Sequence, residues 1–159
     1  MPPAPDLIQI AQCRSEMRLT QFTDYALRLL IYVATHDKRL VTIEETASAY
    51  GISRNHLMKV ANHLTREGYL KSVRGRSGGL ALGRPAAEIG LGAVVRGTEP
   101  DFAVVECFSE DGRCRITPSC RLKGVLNGAL NAFMAEMDRH SLADLVVDPA
   151  AFGVEKRHA

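Results

Sequence analysis

No apolar run in the 159 residues is long enough to cross a bilayer, and the formal charge of +2 does not announce a polyanionic partner. The first residues lack the basic start and apolar length of a secretory signal, so the cytoplasm is the expected compartment. A glycine-rich stretch, Gly75-Arg76-Ser77-Gly78-Gly79, lacks the following Lys-Ser/Thr and the helix start of a phosphate-binding loop. No nucleophile–base pairing or catalytic carboxylate pair stands out, and an enzyme is not expected. There are four cysteines but no Cys-x2-Cys hook, the usual element of a zinc site. In a reducing compartment these thiols are expected as metal ligands or redox groups rather than disulfides.

What is present is a hidden charge asymmetry. Between Ser53 and Arg84 lie Arg54, Lys59, Arg66, Lys71, Arg74, Arg76 and Arg84, against the single acid Glu67. A near-neutral average that conceals a basic block is the electrostatic footprint of a nucleic-acid reader, although a solvated basic face would look the same by charge alone.

Periodicity supplies the context. Residues 1–16, with Pro2, Pro3 and Pro5, read as a loose arm or upstream extension, in which Cys13 has no expected role. A first helix is expected over Thr20–Thr35, with Phe22, Ala26, Leu29, Leu30 and Val33 on one face and Thr20 as its N-cap. Thr42-Ile43-Glu44-Glu45 has capping-box form and opens a second helix that stops at Gly51. Ser53 opens a third, ending near Glu67 and Gly68. Two short helices around Gly51-Ile52-Ser53 form a helix-turn-helix pattern, whose second helix would enter the DNA major groove. On its wheel Leu57, Val60, Ala61 and Leu64 face inward. Asn55, Lys59, Asn62 and Arg66 lie about opposite, and Arg54 and His56 flank the N-terminal end. Leu70–Arg74 and Leu80–Leu82 read as two strands around a glycine-rich tip, in which Arg74, Arg76 and Ser77 could approach the backbone or groove of DNA.

After Pro85 a short helix is expected over Ile89–Gly97, with Leu91, Val94 and Val95 inward. An irregular loop, 99–118, follows. A long helix from about Ser119 to Arg139 carries a wide apolar stripe of Leu122, Val125, Leu126, Ala129, Leu130, Phe133 and Met137. Such a stripe on one helix is best buried against a copy of itself, which predicts a homodimer. Ser141 to Asp144 caps a last turn, and 148–159 reads as a frayed tail. The expected fold is mainly α with a small β-hairpin wing. A winged helix-turn-helix domain over 17–98 and a cluster-binding loop over 99–118 precede a dimerisation segment over 119–147.

Six residues separate Cys107 from Cys114, and five separate Cys114 from Cys120. Spacings this wide, in a glycine-containing loop, can wrap an iron–sulfur core. Arg113, Arg115 and Arg121 would favour thiolates, but spacing alone leaves cluster, zinc and reactive thiols open. Three thiolates leave one iron of a cubane without a cysteine. His140, Glu106, Glu110 and Asp111 are local candidates for that role, although residues of these types are more often simply solvated.

Taken together, Met17-Arg-Leu-Thr-Gln-Phe-Thr-Asp-Tyr-Ala-Leu-Arg28, Ser53-Arg-Asn-His-Leu-Met-Lys-Val60, Val73-Arg-Gly-Arg-Ser-Gly-Gly79 and the three-cysteine loop resemble the NsrR/IscR family of winged-helix iron–sulfur transcription regulators. The similarity runs over about residues 17–147. It implies a repressor that binds palindromic double-stranded operator DNA as a homodimer, away from membranes. It also implies a [4Fe-4S] cluster held by Cys107, Cys114 and Cys120, with a [2Fe-2S] form allowed after degradation. In the family's nitric-oxide sensors an aspartate from the first helix of the partner subunit completes the ligation, and Asp24 matches it. The IscR-type regulators carry a histidine where Lys123 stands, and the iron-responsive branch carries asparagine where Asp24 stands. Both departures favour the nitric-oxide sensors, which release operator DNA when nitric oxide reacts with the cluster. Two alternatives are an iron- or cluster-status regulator on the same scaffold and, from a different class, an iron–sulfur carrier or redox protein.

Overall fold

Thr20 starts the fold by capping a helix: its hydroxyl accepts a hydrogen bond from the Thr23 N–H at 3.3 Å, satisfying one of the free donors of helix α1, Gln21–Thr35. The Thr20 hydroxyl and N–H in turn donate to Glu99 Oε1, which ties the start of α1 to a loop far along the chain. The computed structural model describes residues 18–103, 105, 108 and 115–153. Cys13, Cys107 and Cys114 lie outside the described residues, as do Glu106, Glu110, Asp111 and Arg113.

The first helix buries Ala26, Leu29, Leu30 and Val33, the face expected from its periodicity, while Phe22 packs half-buried at the rim. Helix α2, Ile43–Tyr50, is capped by Thr42, whose Oγ1 accepts from the Glu45 N–H at 3.2 Å. The Glu45 carboxylate answers by accepting from the Thr42 hydroxyl at 3.1 Å rather than from its N–H, so the box closes through the side chain. Gly51 ends the helix in the left-handed region at φ 64, where a side chain would be strained. Helix α3, Arg54–Arg66, follows at once. Ser53 sits at its N-cap, but no side-chain capping bond forms there.

Strands β1, Leu70–Val73, and β2, Gly79–Leu82, pair antiparallel with Leu70 opposite Leu82 and Val73 opposite Gly79. Arg74 falls just beyond β1, in the turn. Val41, in the linker between α1 and α2, adds an isolated antiparallel bridge to Leu80 of β2. Helix α4, Leu91–Thr98, starts at Leu91 rather than Ile89, because a 3-10 turn at Ala86–Glu88 comes first. Its Leu91, Val94 and Val95 are buried as the spacing predicts. Leu29, Leu30, Leu57, Leu64, Leu70, Ile89 and Leu142 are the largest aliphatic groups closing the core beneath these elements.

Helix α5, Arg121–Asp138, spans 18 residues, about 27 Å at 1.5 Å per residue. It meets α4 at Gly92, where a Cβ would lie 1.9 Å from Asp138 Oδ1, and Arg96 makes a two-pronged bond with Asp138 at 2.6 Å. The buried side chain of α5 is Met134, which the sequence stripe omits; Leu122, Val125 and Phe133 are 60%, 67% and 42% exposed. Ser141 and Asp144 form a full capping box over a 3-10 turn, Leu142–Leu145. The frayed tail expected from residue 148 instead holds a 3-10 turn, Pro149–Phe152. Its Phe152 ring packs edge-on to Tyr32 and Tyr50, with centroids at 4.9 and 5.5 Å, an aromatic contact that fixes this segment against α1 and α2.

Candidate nucleic-acid interface

Burial on one side of α3 dictates what the other side offers. Leu57, Val60, Ala61 and Leu64 are buried, and with 3.6 residues per turn the opposite face must point outward. Arg54, Asn55, His56, Lys59, Asn62 and Arg66 are all exposed. Asn55, Lys59, Asn62 and Arg66 share one row. Arg54 lies off to the side and reaches back to Glu44 on α2, 3.6 Å away, a weak contact between two largely solvated groups. His56 stacks near-parallel on Tyr25 of α1 with centroids 6.3 Å apart, so its ring leans away from the row. His63, also on α3, accepts no external role: its Nε2 bonds the Gly97 carbonyl at 2.9 Å and its ring meets the edge of Phe22.

The wing tip presents Arg74, Arg76 and Ser77 to solvent beyond the β1–β2 pair. Gly75 takes φ 119, and a Cβ at Gly78 would lie 2.3 Å from the Val73 carbonyl oxygen, so the tight turn requires glycine at both places. Arg84, part of the basic block in the sequence, is spent elsewhere. Its guanidinium donates to the Glu67 and Gly68 carbonyls at 2.8 and 3.2 Å and lies over the Tyr69 ring. It closes the C-terminal end of α3, a pairing favoured by the helix dipole. No sequence signal separates Arg84 from its basic neighbours, because its partners are backbone atoms brought near by the strand return.

Asp24 stands in the first turn of α1, half-exposed, with its Oδ1 accepting from Arg28 Nε at 2.9 Å one turn on. It borders a cleft of about 620 Å³ that Tyr25, Arg28 and Tyr50 also line. Arg28 lies over the Tyr50 ring, 5.7 Å from its centroid. Cys120 is half-buried at the N-cap of α5. Arg115 and Arg121 beside it are exposed. Among the described residues no three His, Cys, Asp or Glu side chains converge in a way that could hold a metal, and Cys120 is the described member of the three-cysteine set. A second cleft, of about 570 Å³, runs between the loop Glu99–Ala103 and the Leu126, Leu130 and Phe133 side of α5. No helix among the described residues is long and apolar enough to cross a membrane.

Known structures share this architecture. An IscR structure from T. potens is 23% identical with a TM-score of 0.63, covering 90% of this chain and 93% of that one. The structure of CymR, the global cysteine regulator of B. subtilis, is 21% identical with a TM-score of 0.64, over 82% of this chain and 96% of that one. Staphylococcus aureus CymR in its oxidized form is 24% identical with a TM-score of 0.64, over 79% and 93%. At these identities the likeness establishes the winged-helix fold. The Rrf2 family, described as an iron-dependent transcriptional regulator, matches residues 19–148, from the start of α1 through the turn after α5. The chain therefore belongs to the Rrf2 family of transcriptional regulators.

Proposed function

We propose that the chain is a dimeric repressor that binds operator DNA through α3 and the wing and responds to nitric oxide through a [4Fe-4S] cluster. The observation that carries this reading is the placement of Cys120 at the start of α5, a helix whose Leu122, Val125 and Phe133 stay exposed among the described residues. A second copy would bury that face, and the same helix would then link the ligand set to the subunit interface.

The donor chemistry fits an iron–sulfur group: three cysteines, with a carboxylate from the partner subunit as a harder and weaker fourth ligand. Cys107, Cys114 and Cys120 would hold the cluster, and Asp24 would complete it across the interface. When bound, the cluster supplies iron that nitric oxide can reach. Arg28 orients the Asp24 carboxylate at the cleft edge. Release of Asp24 would remove one tie between the subunits, and α3 and its partner copy would lose the spacing needed for adjacent major grooves. Asn55, Lys59, Asn62 and Arg66 would face the groove, Arg54 and His56 would flank its N-terminal end, and Arg74, Arg76 and Ser77 would meet the flanking backbone.

The preference for NsrR, the nitric-oxide-sensing repressor, over the sister branches of the family rests on Asp24 and Lys123. The family description, iron-dependent, favours a second reading in which iron supply is sensed on the same scaffold. One titration separates them. Protein purified without oxygen should be brown and carry about four irons and four sulfides per chain. A few equivalents of nitric oxide per cluster should release operator DNA, while a chelator at matched concentration acts more slowly. Prompt release by the chelator with little response to nitric oxide moves the protein to the iron reading. A colourless protein with stoichiometric zinc ends both.

A further inference from the structure

Among the apolar side chains of α3, Leu57, Val60, Ala61 and Leu64 are buried, but Met58 is 46% exposed. Its position decides what that exposure means. Met58 is three residues after Asn55 and four before Asn62, so the three side chains are neighbours on one helix surface. Asn55, Lys59 and Asn62 are themselves exposed, so Met58 borders the donor-bearing row, between it and the buried Ala61 one turn on.

The base edges of the major groove make this informative. Almost every group exposed there is a hydrogen-bond donor or acceptor, and a thioether can satisfy few of them. Pressing Met58 against a cytosine amino group or a guanine oxygen would strip water without replacing its bonds. The exception is the C5-methyl of thymine, the only apolar group on any major-groove edge. An unbranched methionine with three rotatable bonds can follow such a methyl across small differences in docking. Asn55 and Asn62 complement it, because a carboxamide pairs two-pronged with adenine N6 and N7. From this juxtaposition the geometry points to Met58 as a specificity-determining residue that reads a thymine methyl, within an A·T-containing stretch addressed by Asn55 and Asn62. This inference rests on α3 being the DNA-reading helix.

Replacing thymine by uracil tests it, since only the methyl is removed and base pairing is kept. An operator is first selected from random sequence with the parent protein. Each thymine is then replaced in turn by deoxyuridine, and affinity is measured for the parent, Met58→Ala and Met58→Leu. At one thymine in each half-site, uracil should weaken the parent about fourfold, the worth of one buried methyl group. The same replacement should leave Met58→Ala unchanged, and Met58→Leu should retain the methyl dependence. Thermal midpoints of the variants should match the parent, because the side chain is outside the core. Equal methyl dependence in parent and Met58→Ala, or none at any thymine, overturns the assignment while leaving DNA binding intact. Failure of the parent to select any sequence overturns the reading of α3 and the assignment with it.

Discussion

Asp24 concentrates much of the residue-scale question, because one carboxylate is offered two partners. Within its own subunit it accepts from Arg28 at 2.9 Å, an exposed helical pair that contributes only a few tenths of a kcal/mol. A metal bond in the partner's site would outweigh that pair. Asp24→Ala is therefore expected to retain a cluster through the three cysteines, to change the rate or stoichiometry of the response to nitric oxide, and to lower operator affinity before nitric oxide is added. Absorbance and DNA titration of the variant check this, and an unchanged response and affinity would remove Asp24 from the ligand set. The cations of the proposed interface separate by kind of contact. Arg76→Ala in the wing should lower the slope of log affinity against log salt by roughly one, the signature of one lost phosphate contact. Lys59→Ala or Arg66→Ala should weaken binding too, and discrimination falls by about 1–3 kcal/mol where a base contact is lost. If all three variants bind a selected operator as the parent does, the face has been misassigned.

At the scale of elements, the wing and the α4–α5 junction have different vulnerabilities. Gly78→Ala would drive a methyl into the Val73 carbonyl, at an expected cost of about 1–3 kcal/mol concentrated in the β1–β2 turn. DNA affinity should fall while helical circular dichroism is kept; full affinity would show that the tip can be rebuilt without loss. The α4–α5 junction depends on pH. The Arg96 guanidinium, by its hydrogen bonds first and its charge second, holds the Asp138 carboxyl below the ordinary aspartate value. A carboxyl depressed in the folded state stabilises it fully above the unfolded-state value, and the contribution is lost as pH falls through the folded value. Acid should therefore loosen this junction, modestly because both groups are solvated and salt-screened. Asp138→Asn should flatten the acid limb of a stability-against-pH curve; a limb as steep as the parent's would mean that other carboxylates carry it.

For the whole molecule the question is what covers α5. Leu122, Val125 and Phe133 leave a long apolar strip on a helix joined to the body mainly through Met134, Gly92 and the Arg96–Asp138 pair. Val125→Glu would place a charge in the middle of any helix–helix interface there. It should convert a dimer to a monomer in sedimentation analysis and weaken binding to a two-half-site operator. Its thermal midpoint at low concentration should change little, since the position is 67% exposed within one subunit. A Val125→Glu protein that remains dimeric would place the interface elsewhere.

Local physical chemistry made much of this protein legible in its sequence. Periodicity marked α1, α3, α4 and α5, while Thr20 marked the start of α1, Thr42 and Gly51 the two ends of α2, and the Ser141–Asp144 box the last turn, because caps and left-handed turns are decided by neighbouring backbone atoms. Glycine spacing marked the β-hairpin for the same reason. Tertiary structure decided what each exposed or charged residue does once distant segments meet. Arg84 became a helix cap rather than one more cation of the basic block, since the strand return carried it to the Glu67 and Gly68 carbonyls. Phe152 closed an aromatic contact on Tyr32 and Tyr50 where the sequence suggested a loose end. Met134, not its more conspicuous neighbours, became the buried residue of α5, and Met58 stayed half-exposed on α3. Burial depends on which faces of two elements happen to cross, and a one-dimensional pattern records the apolar face of a helix without recording the surface that will cover it.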